Sequence, residues 1–170
     1  MKFDRILQAG IIGMLALFCF ALYSSLHETV VNAGDKAPDF SITADNGQTI
    51  SARNFSGKLL LLNFWATWCA PCVEEVPSLN QLSRQLGPQG LVVLAVSVDK
   101  DSSAYKNFLT RFPVSFMTAR DPDEEINHRY GTVQFPESYL IDRNGKVIEK
   151  YVNAQNWTSP EMIQHVQSLL

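Results

Sequence analysis

Two cysteines three residues apart, in the run Trp68-Cys69-Ala70-Pro71-Cys72, are the residues of this 170-residue chain best equipped for chemistry. The run follows a continuous apolar stretch and opens a segment of helical periodicity, so the pair sits where a strand hands over to a helix. At a helix start this spacing brings the sulfurs close enough to bond reversibly. It also leaves the first cysteine beside unpaired backbone N–H groups and the positive end of the helix dipole. Both favour the thiolate, which is the attacking species in disulfide exchange. Cys69 is therefore the expected nucleophile, and Cys72, one turn inside, the expected buried resolving thiol. Two inert readings compete, a static disulfide and half of a zinc site. Zinc would need two further Cys or His ligands, and the spare candidates in the soluble part, His128 and His165, are isolated and far along the chain. No metal and no cofactor is expected.

The elements around the pair follow from hydrophobic pattern. Leu59-Leu60-Leu61-Leu62-Asn63-Phe64-Trp65 reads as a strand buried on both faces. A helix from about Cys69 to Leu86 follows, with Val76, Leu79, Leu82 and Leu86 on one stripe and Pro77 expected to kink it. Upstream, Phe40 to Thr43 and Gln48 to Ile50 flank a tight turn at Asp45-Asn46-Gly47. Downstream come a second buried strand, Leu91 to Val98, and an amphipathic helix carrying Tyr105, Phe108, Leu109 and Phe112. A short strand around Ser115 to Thr118 and a brief helix capped at Asp121-Pro122 and ended by Gly131 are next. Ser138 to Asp142 and Lys146 to Val152 form the last hairpin. A closing helix from Thr158-Ser159-Pro160-Glu161 is expected to bury Met162, Ile163, Val166, Leu169 and Leu170. The class is α/β, a mixed sheet with helices on both faces.

Composition excludes some partners. From Gly34 onward the chain holds 12 basic and 15 acidic side chains, a net charge of −3 that offers nucleic acid no basic stripe. The membrane case rests on the N-terminus. Ile6 to Leu26 carries no charge and, as a helix, would be roughly 31 Å long, about the thickness of a bilayer's hydrocarbon core. Lys2 and Arg5 precede it, so the positive-inside bias sends the remaining bulk across the membrane. The expected organisation is a cytoplasmic N-terminus at 1–5, a transmembrane signal-anchor at 6–26, a linker at 27–37 and one domain at 38–170. A cleaved signal peptide is the rival reading, with Val31 and Ala33 as a small-residue site lying rather far from the apolar stretch. Cys19, inside that stretch, reads as a buried apolar side chain.

Asn63-Phe64-Trp65-Ala66-Thr67-Trp68-Cys69-Ala70-Pro71-Cys72 resembles the thioredoxin active-site strand and loop. The segments Gly34-Asp35-Lys36-Ala37-Pro38-Asp39-Phe40 and Phe135-Pro136-Glu137-Ser138-Tyr139-Leu140-Ile141-Asp142 narrow this to the membrane-anchored TlpA/ResA/CcmG (DsbE) group of thioredoxin-like thiol-disulfide oxidoreductases. The resemblance covers about Gly34 to Leu170. It implies a thioredoxin-like fold with an N-terminal hairpin extension. It also implies a cis-proline at Pro136, beside the Cys69–Cys72 disulfide, that leaves the Phe135 backbone free to pair with a substrate strand. Trp68, Ala70 and Pro71 complete the implied substrate-binding surface. Glu75 matches the acidic residue of ResA-type members and is placed, one turn after Cys72, to accept its proton if burial raises its pKa. Glu137 matches a residue near the active-site groove of the cytochrome c biogenesis members. Where thioredoxin has a buried aspartate this chain has Asn63, an amide that cannot accept the proton, which strengthens the case for Glu75.

Ala70 and Pro71 place no charge between the cysteines, which favours a reductant. By resemblance, the substrates are oxidised exported proteins such as apocytochrome c, on the outer side of a bacterial inner membrane. A transmembrane carrier of the CcdA or DsbD type would resupply electrons. A peroxiredoxin-like peroxidase is one alternative, although Thr67 stands one residue too close to Cys69 for that family's pattern. A copper-handling chaperone on the same fold, with the cysteines as soft ligands, is another.

Overall fold

A computed structural model describes residues 2–26 and 30–170. Met1 of the expected cytoplasmic N-terminus and residues 27–29 of the expected linker lie outside the described residues. The first helix, α1, runs Lys2–Leu26, and its side chains from Gly10 to Leu22 are exposed, Leu17 and Phe20 among them. Cys19 is a free cysteine on this helix, exposed like its neighbours. Among the described residues no helix is long and apolar enough to cross a membrane, so the crossing expected of residues 6–26 rests on the sequence alone.

The domain is built on a sheet of five strands, ordered β5-β4-β3-β6-β7. The apolar runs make its centre: β3 is Leu59–Trp65, β4 is Leu91–Ser97 and β5 is Met117–Arg120, all parallel. Every residue of β3 is buried, as a run apolar at every position but Asn63 requires. The closing hairpin, β6 (Glu137–Ile141) and β7 (Val147–Val152), adds antiparallel to β3. A separate hairpin of β1 (Ser41–Thr43) and β2 (Thr49–Ser51) is tied to β5 by a bridge between Ala44 and Ala119. Gly47 at its turn takes a positive φ of 81°, which glycine adopts without strain.

Alternation along the strands sorts the core into two faces. Leu59 and Leu61 meet Leu79, Leu82 and Leu86 of α2 (Ala70–Leu86) together with Trp157 and Val166. Val166 lies on the closing helix α5 (Pro160–Ser168), where it alone is fully buried; Met162, Ile163, Leu169 and Leu170 are half-buried. Leu60, Leu62 and Phe64 meet the opposite layer of Phe40, Phe55, Ile126 and Tyr130. At the end of the sheet where β3 stops, Trp65 packs on Tyr105 and Phe108 of α3 (Ser102–Arg111). The short helix α4 (Glu125–Tyr130) is capped from a distance: the Asp121 carboxylate accepts the backbone N–H groups of Glu125, Ile126 and Asn127. Gly131 ends it at φ 64°.

Candidate active site

The cysteine pair sits where β3 leaves the sheet and α2 begins, as a disulfide with the Cα atoms 5.3 Å apart. Cys69 is the N-cap of α2; its Sγ accepts the backbone N–H of Cys72 at 3.3 Å, and Pro71 lies in the first turn, where a missing N–H costs nothing. Cys69 therefore stands at the positive end of a 17-residue helix. Both cysteines are buried, Cys69 at 7% and Cys72 at 1% exposure, so of the two residues Cys69 is the more open.

The loop before the pair is held from β4. Asp99, buried just past that strand, accepts the backbone N–H of Thr67 at 2.9 Å and its hydroxyl at 2.6 Å, and also the Ser97 hydroxyl. Thr67 is thereby committed to Asp99. Nothing in the sequence pattern marks Asp99; its role appears only when parallel pairing sets Trp65 beside Ser97. Around the rim, Ala70 and Pro71 are exposed and Trp68 is 67% exposed, with its ring edge-on to Phe135 at 5.9 Å. The Phe135–Pro136 peptide bond is cis.

Glu75 is the one carboxylate of α2 turned inward. It is 3% exposed, whereas Glu74 next to it lies in solvent, as the 100° step of a helix dictates. Its Oε1 accepts the indole N–H of Trp157 at 2.5 Å and the backbone N–H of Gln155 at 3.1 Å. Oε2 accepts the Asn63 amide at 3.4 Å, and that amide is fixed by Ser138 Oγ at 2.9 Å. Burial pushes the Glu75 carboxyl up to about 7, against the opposing pull of the bonds from Gln155, Trp157 and Asn63. A carboxylate poised near neutrality, one turn from a buried thiol, can accept and return a proton.

Glu137 is placed differently from the groove position its resemblance implies. Its neighbour Ser138 faces Asn63 and Glu75, so strand alternation turns Glu137 to the opposite sheet face, where it is 3% exposed. There it pairs with Lys150 at 2.9 Å and accepts from Thr132 and Tyr139. His128 and His165 lie on α4 and α5, paired with Glu124 and Glu149.

Comparison with known proteins places the site in a family. Residues 32–166 match the redoxin family. The thiol-disulfide oxidoreductase ResA of Bacillus thuringiensis subsp. konkukian is 37% identical over 161 residues, covering 91% of this chain and 92% of the relative. ResA of Bacillus subtilis is 31% identical over 143 residues, covering 81% and 80%. Among solved structures, a thiol:disulfide interchange protein DsbE from Chlorobium tepidum superposes with a TM-score of 0.76 at 33% identity, covering 83% of this chain and 99% of that one. With a helix-capping Cys69, a buried Cys72 and a cis-proline in a thioredoxin-like sheet, the chain belongs to the redoxin family, as a thioredoxin-like thiol-disulfide oxidoreductase of the ResA and DsbE group.

Proposed function

We propose that this enzyme works as a reductant of exported proteins, on the outer side of a bacterial inner membrane, with Glu75 as the proton acceptor for Cys72. The observation that carries the reading is the buried Glu75 carboxylate one turn after a cysteine that is itself only 1% exposed.

In the reduced enzyme the Cys69 thiolate attacks one sulfur of a substrate disulfide. The other substrate sulfur leaves as thiolate and takes a proton from water. Cys72 then gives its proton to Glu75 and attacks the Cys69 sulfur, releasing the second substrate sulfur as a thiolate, which takes up the proton that Glu75 returns. The pair of electrons that made two thiols in the enzyme now resides in the two substrate thiols, and the enzyme is left with its Cys69–Cys72 disulfide. Trp68, Ala70, Pro71 and Phe135 supply an apolar rim for the substrate, and the backbone at Phe135–Pro136 supplies an edge for an extended segment.

Reduction in an oxidising compartment requires recharging, which a dithiol carrier in the membrane of the CcdA or DsbD type would provide. The uncharged run Ile6 to Leu26 would hold the domain beside that carrier. The substrate class that fits is a paired-cysteine segment such as that of apocytochrome c. A peroxidase reading gains nothing from the geometry, because the Thr67 hydroxyl is bound to Asp99. The test is capture in cells: Cys72→Ser should accumulate mixed disulfides, and mass spectrometry should find exported proteins with cysteine pairs attached through Cys69. Absence of such adducts, with peroxide consumption instead, would overturn the reading.

A further inference from the structure

We propose that Trp157, together with the backbone N–H of Gln155, is a positioning residue for the exchange reaction: it fixes the Glu75 carboxylate through Oε1 and leaves Oε2 as the oxygen that takes the Cys72 proton. The inference rests on the reading of Glu75 as proton acceptor.

Trp157 belongs to the segment between β7 and α5 and is wholly buried, its ring edge-on to Tyr151 at 5.2 Å. An indole N–H can only donate, and here its partner is a carboxylate oxygen. The segment is also fastened to α2 at a second point. Ser78 Oγ donates to the backbone carbonyl of Glu75 at 2.9 Å and lies 3.4 Å from the Gln155 carbonyl, while accepting the Trp157 backbone N–H at 3.4 Å. Segment and carboxylate are therefore held as one unit.

The two oxygens of Glu75 are treated unequally. Among the described residues Oε1 has two donors, at 2.5 and 3.1 Å, and Oε2 has the Asn63 amide alone, at 3.4 Å. All three partners are donors, which suits the ionised form, and a proton arriving at this carboxylate finds its room on Oε2. Removing the indole N–H would free Oε1, loosen the side chain and make the carboxylate harder to ionise, because that bond acts against burial.

The experiment uses the full chain in detergent micelles. Trp157→Phe keeps an aromatic ring and drops the donor; benzothienylalanine at 157 keeps nearly the whole indole shape and drops it too, which covers the case in which Phe packs badly. Two readouts are taken: the Glu75 carboxyl titration in the oxidised protein by carbon NMR, and the pH–rate profile of exchange. Loss of a hydrogen bond to a charged group should raise both midpoints by about one pH unit, slowing exchange about tenfold on the acid side with KM unchanged. Tyr151→Phe, which keeps the ring against Trp157, should move neither. A Glu75 titration that stays in place in both position-157 variants overturns the proposal. A titration that moves while Glu75→Gln exchanges with the wild-type pH profile overturns instead the proton-acceptor reading on which it rests.

Discussion

Replacing Glu75 with Gln removes an ionisable group that the fold holds against its preference, and the consequence for stability has a definite sign. In the oxidised protein burial lifts the Glu75 carboxyl from 4.5 to about 7. Below about pH 4.5 it is protonated in both folded and unfolded chains, and the penalty for burying its charge is absent. As pH rises from there, the unfolded chain ionises first, so the folded state loses stability, and the loss is complete once pH passes the folded midpoint near 7. At about 1.4 kcal/mol per pH unit, the fall amounts to about 3 kcal/mol. Glutamine keeps an oxygen for Trp157 and Gln155 and cannot ionise. The difference in unfolding free energy between Glu75→Gln and wild type should therefore swing towards the variant by about 3 kcal/mol between roughly pH 4 and pH 8. Denaturant melts of the oxidised proteins at the two pH values measure it. A difference that does not change with pH, or that swings towards wild type, refutes the reasoning. Glu74→Gln, on the solvent side of the same helix, is the control and should show no such swing.

Two other outcomes follow, one from a contact and one from the sequence. Lys150→Met leaves Glu137 buried without its 2.9 Å partner and should lower stability by about 3 kcal/mol or more in denaturant melts, while exchange at the cysteines continues. If Ile6 to Leu26 anchors the chain, the full-length protein should stay in the membrane fraction through alkaline carbonate washing, with the domain open to protease from outside; release of a soluble form beginning near Gly34 would identify a cleaved signal.

Where pattern alone decides structure, the sequence was enough. The run Leu59–Trp65, apolar but for Asn63, has no polar face to offer solvent, and it forms the central strand. Cysteine spacing at a strand–helix junction located the disulfide. Where tertiary contacts decide, it was not. The strand expected at Ser115 to Thr118 begins at Met117, because Asn80 of α2 takes the Ser115 backbone N–H and hydroxyl, and pairing with Leu94 fixes the start. Trp157 lies in an irregular segment with no periodicity, so nothing local announces that its N–H meets a carboxylate 82 residues earlier. Glu137 was open to a simpler argument: once Ser138 is assigned to the Asn63 face, alternation sends its neighbour to the other.

The claim on which the rest depends is that Cys69 attacks and Cys72 resolves. Timed alkylation of the reduced protein across pH, with each site followed by mass spectrometry, tests it directly. Cys69, at the helix N-terminus, should react first and titrate below the roughly 8.5 of a free thiol, while Cys72, 1% exposed beside Glu75, should lag at every pH. Faster alkylation of Cys72 at lower pH, or a Cys69 that titrates as a free thiol does, would contradict the account.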